Sequence, residues 1–146
     1  MRVLALDLGS KRVGVAVSDV GGTLASPRTV LQRSGDLGQD HRRIAALVAE
    51  EEAELVLVGL PLSLDGGDGP AATSARSEAA SLAELLSVPV ILHDERLTTV
   101  TAHRLLAERG LDSRARRKVV DQAAAAVMLQ AWLDGGGIAS ATEGES

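Results

Sequence analysis

Asp7, Glu95 and Asp121 are the acidic residues of this chain that ordinary surface placement explains least. Asp7 nearly ends the apolar run Val3-Leu4-Ala5-Leu6-Asp7-Leu8. In an extended strand Leu4, Leu6 and Leu8 share one face, while Val3, Ala5 and Asp7 share the other. A carboxylate on a covered strand takes up a proton or needs a partner, because its desolvation is costly. Lys11, Arg12, the Gly9 turn or a bound cation would each serve. Glu95 lies in Asp94-Glu95-Arg96, just past the apolar segment Pro89 to Leu92. Ligand sites of open α/β sheets collect at such strand ends, although a solvated loop explains a lone Glu95 equally well. Asp121 interrupts Val119-Val120-Asp121-Gln122-Ala123-Ala124 and shares a helical stripe with Ala125, Met128 and Trp132. A place in the first helical turn, against the macrodipole, explains an Asp there but not one on a buried face.

Carboxylates from a strand, a loop and a helix meet only in a folded chain, and their repulsion then calls for a cation. An all-oxygen donor set selects hard divalent ions, Mg²⁺ or Mn²⁺, over zinc. Two such ions about 4 Å apart activate a water and stabilise the leaving oxygen in phosphodiester cleavage. The three histidines, His41, His93 and His103, have no metal-type spacing among themselves. A core or surface role suits them better, although His93 beside the strand end is placed to assist. There is no cysteine, which excludes disulfides, thiolate zinc and a cysteine nucleophile. Trp132 is the one aromatic residue, so bases are not stacked on an aromatic platform. Contacts to nucleic acid then run through phosphates or base edges. The net charge is −5, but Lys11-Arg12 and Arg114, Arg116, Arg117 and Lys118 concentrate positive charge locally. Local distribution governs the field at a site.

The elements that must position these residues follow from periodicity. Val3 to Leu8 and Val13 to Ser18 read as strands joined by Gly9-Ser10-Lys11-Arg12, a hairpin. A weak third strand spans Arg28 to Leu31. Asp36 suits the start of a helix with Leu37, His41, Ile44 and Val48 on one face. Leu55 to Val58 is a strand, and the glycine-rich Ser63 to Pro70 a loop. Ala75, Ala79, Leu82 and Leu86 mark a second helix; Pro89 to Leu92 is the fifth strand. Thr98 or Thr99 would cap a helix reaching Arg109. The last helix runs from about Lys118 to Leu133, closed by Gly135-Gly136-Gly137. Residues 1–135 thus form one α/β domain, with 136–146 expected as a disordered tail. Its size suffices for a core burying roughly 70% of the unfolded surface. Three strands followed by alternating helices and strands is the order of the RNase H-like fold, a five-stranded mixed sheet flanked by helices. No apolar stretch is long enough to span a bilayer and no signal segment is present, which implies a cytoplasmic protein.

Four stretches in this order resemble the YqgF family: ALDLGSKRVGVAVSD (Ala5–Asp19), LVGLPLSLDG (Leu57–Gly66), DERLTT (Asp94–Thr99) and KVVDQAAAAVMLQ (Lys118–Gln130). The family is described as pre-16S rRNA nucleases and as Holliday junction resolvase-like proteins. The resemblance covers Met1 to about Leu133. It implies the RNase H-like fold and divalent-metal nuclease chemistry, with Asp7, Glu95 and Asp121 as the acidic positions. It also implies that Lys11, Arg12, Arg96 and Lys118 contact phosphates, and Arg116 and Arg117 extend that basic run. The resemblance favours RNA as the partner, with branched DNA the alternative; a junction resolvase must work as a dimer, whereas an RNA-trimming enzyme can act alone. Whether the chain is monomer or homodimer is left open by its residues.

Two other classes compete. Asp7-Leu8-Gly9 with Gly14 reads DxGxxxxG, similar to the phosphate hairpin of sugar kinases and actin-like ATPases. Those enclose a nucleotide between two domains, for which 146 residues leave no room. A non-catalytic RNA-binding module is the other rival, and three intact carboxylates weigh against it.

Overall fold

The computed structural model describes residues 1–61, 69–94 and 113–143, the side chains of 113–123 and 142–143 excepted. Its elements are β1 (Val3–Leu8), β2 (Arg12–Ser18), β3 (Ala25–Gln32), α1 (Leu37–Glu50), β4 (Leu55–Leu60), α2 (Pro70–Leu85), β5 (Val90–Asp94), α3 (Ser113–Asp134) and α4 (Gly137–Glu143). The sheet order is β3-β2-β1-β4-β5. β2 pairs antiparallel with β1 and β3, whereas β1–β4 and β4–β5 are parallel. This is the expected five-stranded mixed sheet with helices on both faces. No described helix is long and apolar enough to cross a membrane.

The alternation of β1 divides the core as the pattern predicts. Leu4 and Leu6 join Val13, Val15, Val56 and Val58 beneath Ile44 and Val48 of α1 and Ala79 and Leu82 of α2. Val3 and Ala5 join Ala16, Leu55 and Leu57 beneath Ala125, Met128, Leu129 and Trp132 of α3. β1 and β4 lie inside the sheet and are covered on both faces, which is why they read as continuous apolar runs. Asp36 caps α1 as expected, its Oδ1 accepting the Gln39 N–H at 3.1 Å. Pro70 opens α2 at a position where a missing N–H costs nothing. Leu37 departs from the expected stripe: it is half-exposed at the first position of α1, while His41, Ile44 and Val48 are buried.

Boundaries move where the ladder, not periodicity, decides. β3 is longer than Arg28 to Leu31, because β2 pairs with it from Arg12↔Gln32 to Ser18↔Ala25. Its residues Ala25, Ser26 and Pro27 carry no apolar alternation, and Pro27 is tolerated at an edge strand beside a bulge at Val15/Ala16. β4 and β5 run on together to Leu60↔Asp94. The helix expected between Thr98 and Arg109 lies outside the described residues. α3 begins at Ser113, not near Lys118, so the Arg114–Lys118 run belongs to the helix backbone and not to its lead-in.

The expected tail is also corrected. After a turn at Gly135 and Gly136, residues 137–143 form α4, and Ile138 packs against the α3-side core. Gly136 has φ +79°, the left-handed turn that glycine permits, and it redirects the chain instead of releasing it. Three consecutive glycines hid this second helix from the sequence pattern.

Candidate active site

Asp7 is the penultimate residue of β1, on the face that α3 covers. Its neighbour on β2 is Gly14. On the other side, the parallel register Leu6↔Val58 carries forward to Gly59, and Gly59 pairs with His93. The Asp7 carboxylate therefore rises from a row whose two adjacent positions have no side chain. His93 shares the row one strand beyond Gly59, about 10 Å from β1 by two interstrand spacings. Its imidazole is half-buried, and burial lowers its pKa against the pull of the Asp94 carboxylate.

The direction of α3 is fixed by its far end. Gln130 accepts the Ala25 N–H at 2.9 Å and donates to Thr23 O at 2.9 Å. Ala25 pairs with Ser18, whose Oγ accepts the Val3 N–H at 2.8 Å. Gln130 thus marks the Val3 end of β1, and α3 runs antiparallel to that strand. From Gln130 back to Asp121 the helix advances about 13 Å, as does β1 from Val3 to Asp7. Ala125, Met128, Leu129 and Trp132 of α3 pack on the Val3–Ala5 face of β1, the face that by alternation also carries Asp7. Because α3 starts at Ser113, Asp121 sits more than two turns inside it. The macrodipole acts within the first turn, so an N-terminal charge preference does not account for this residue.

The remaining candidates divide by description. Lys11 is exposed and Arg12 half-buried in the β1–β2 turn, where Gly9, Ser10 and both cations line a shallow pocket of about 210 Å³. The backbones of Arg116, Arg117 and Lys118 lie in the first two turns of α3. Glu95 and Arg96 follow Asp94, the last residue of β5, and lie outside the described residues. Among the described residues no group of three His, Asp or Glu could hold a metal ion. Of the expected carboxylates, only that of Asp7 is among them.

Sequence reasoning missed a charged network on the opposite face. Arg33, just beyond β3, donates Nη1 and Nη2 to the two Glu78 oxygens at 2.8 Å each. His41 Nε2 meets Glu78 Oε2 at 2.8 Å, and Arg33 Nε donates to Gly9 O at 2.9 Å. Glu78 falls on the α2 stripe between Ala75 and Leu82, and a charge on a buried stripe is the signal that could have found it. Burial alone would raise the Glu78 pKa, but hydrogen bonds and charge from Arg33 and His41 outweigh it and hold the carboxyl below its usual 4.5. A depressed carboxyl contributes stability above its unfolded pKa that is lost as pH falls through the folded value. The urea midpoint should therefore drop as pH falls below 4.5, and Glu78→Gln should flatten that dependence while lowering stability at pH 7. An unchanged acid slope in the variant would leave the loss to other carboxylates.

The family described as RuvX, Holliday junction resolvase, matches residues 1–135. A proposed pre-16S rRNA nuclease of Rhodococcus erythropolis is 50% identical over 137 residues, covering 91% of this chain and 77% of that protein. One of the same name from Thermoanaerobacter pseudethanolicus is 44% identical over 135 residues, covering 92% and 96%. Among solved structures, Thermus thermophilus RuvC in complex with a Holliday junction substrate superposes with TM-score 0.55 at 20% identity, covering 88% of this chain and 91% of that one. The fowlpox virus Holliday junction resolvase gives TM-score 0.56 at 11% identity, covering 92% and 99%. At these identities the two structures establish the shared fold.

Proposed function

This chain belongs to the RuvX family, the YqgF family of the sequence resemblance, and on that premise we propose that it is a divalent-metal-dependent nuclease acting on RNA in maturation of the 16S rRNA 5′ end. The observation that carries the reading is identity of 44–50% to proposed pre-16S rRNA nucleases over about nine-tenths of the chain. The row Gly14-Asp7-Gly59, with α3 running back toward Asp7, supports the chemistry. Asp7, Glu95 and Asp121 hold the ions, and the cytoplasm, where rRNA is assembled, is the working compartment.

The three carboxylates suit Mg²⁺ or Mn²⁺ because they offer only oxygen, and two such ions would stabilise charge on the attacking and leaving oxygens. Asp7 contributes a donor fixed by a central strand, so little reorganisation accompanies binding. Lys11, Arg12 and Arg96 flank the acids and, with Arg116, Arg117 and Lys118, hold phosphates on either side of the cleaved bond. Basic groups set close to the acids offset the overall −5 charge where the polyanion approaches.

A cleavage panel of structured RNA, single-stranded RNA and four-way DNA at equal salt tests the substrate. Cutting of RNA alone is expected; cutting of the four-way DNA alone, by a dimer, would replace this reading with junction resolution. Metal binding is tested separately. Ions that bind only the folded state raise Tm, so Mg²⁺ or Mn²⁺ should stabilise the chain and Asp7→Asn should shrink the shift. A full shift in the variant would remove Asp7 from the metal site.

A further inference from the structure

We propose that Arg33 is a positioning residue for substrate binding, pinning the β1–β2 turn so that Lys11 meets a phosphate beside Asp7. The inference rests on the nuclease reading above and adds a residue on the opposite face of the sheet.

The turn from Gly9 to Arg12 carries Lys11 and Arg12 directly after Asp7-Leu8. On the α1–α2 side, among the described residues, Gly9 and Ser10 border a cleft of about 580 Å³ that Arg33, Leu37 and Glu78 also line. Hydrogen bonds hold the turn. Gly9 N–H donates to Asp7 O at 3.1 Å and Arg12 O at 2.9 Å, Arg33 N–H donates to Lys11 O at 2.9 Å, and Arg33 Nε donates to Gly9 O at 2.9 Å. Arg33 thus grips the turn at two carbonyls, through its backbone and its side chain. The turn is also tight at Gly9, where a Cβ would stand 2.6 Å from Arg12 O.

The guanidinium is itself held rigidly. Glu78 takes both terminal nitrogens, and His41 takes the same carboxylate from α1, so the end of β3, α1 and α2 together orient the one N–H that reaches Gly9. Side chains of Arg33, Glu78 and His41 are all largely buried. A buried charged cluster is a weak source of stability, since apolar residues of similar volume serve as well. What apolar residues cannot supply is a fixed fork with an N–H aimed at a carbonyl. Lysine cannot supply it either, because one ammonium does not span Glu78 and Gly9 O together.

The experiment measures binding of a fluorescein-labelled RNA hairpin with a single-stranded extension, with Ca²⁺ in place of Mg²⁺, across a salt series. Wild type, Lys11→Ala, Arg33→Lys and the double variant are compared, and amide hydrogen exchange is read at Gly9 to Arg12. Arg33→Lys should speed exchange in the turn, weaken binding, and flatten the log–log salt slope by up to about 0.7, one single-strand phosphate contact. Its binding effect should vanish in the Lys11→Ala background, because both changes remove one contact. Additive effects, or an unaltered slope in a folded Arg33→Lys, would overturn the proposal. Glu78→Gln, which frees one arm of the guanidinium, should show the same changes more weakly; if Arg33→Lys does not fold, an unaltered slope in Glu78→Gln overturns the proposal. A turn that loosens while Lys11→Ala leaves binding untouched would instead count against the nuclease reading's use of Lys11.

Discussion

Asp7→Asn is expected to slow RNA cleavage by about 10²-fold or more at saturating Mg²⁺ or Mn²⁺, with the fold intact. Asparagine keeps the shape and one carbonyl oxygen but removes the charge that holds a hard cation. A 10²-fold loss corresponds to about 2.7 kcal/mol of transition-state stabilisation, a reasonable share for one fixed donor. The amide is isosteric with the carboxyl it replaces, so the substitution changes charge and leaves volume as it was. Glu95→Gln and Asp121→Asn should act alike, since each removes charge from the same ions. If Asp7 served only to pair with Lys11 or Arg12, the substitution would lower stability and spare the rate per folded molecule. Steady-state rates beside circular dichroism separate the two. A wild-type rate in a folded Asp7→Asn protein would end its catalytic assignment.

Asp7 was legible in the sequence because strand alternation is local: six residues suffice to show a carboxylate on a covered face. Asp121 was legible as an anomaly on an apolar helical face, and the helix bounds Ser113–Asp134 place it beyond the first turn as well. Helix starts are poorly marked where basic residues such as Arg114 and Arg116 replace an apolar stripe. The two glycines beside Asp7 were plain in the sequence, but their role depends on which strands become neighbours. Register across β2, β1 and β4 is a tertiary property that no single segment encodes. The Arg33–Glu78–His41 cluster was invisible for a related reason. Its members come from a strand end and two helices, separated by up to 45 residues.

Trp132→Ala should produce the largest loss of stability, about 3–5 kcal/mol, the range for emptying a large aromatic site in a core. Trp132 is 9% exposed and packs with Val3, Ala5, Leu57 and Met128. It also receives α4. A Cβ on Gly137 would lie 2.2 Å from the indole Cδ2 and Cε2, so the bare backbone there rests on the ring. Ile138 continues the contact, its Cδ1 occupying the space a Cβ on Gly22 would need. Removing the indole therefore opens a cavity under the sheet and takes away the seat of α4 together. For a domain whose total stability is about 5–15 kcal/mol, that loss leaves little margin. Part of the loss should disappear in a chain ended after Gly136, because there the seat has no occupant. Urea titrations of the four combinations give this coupling directly. Strict additivity would mean that α4 contributes nothing through Trp132 and behaves as the frayed tail its glycines suggest. Cleavage per folded molecule should be spared in Trp132→Ala, since eleven residues of helix, about 16 Å, separate it from Asp121.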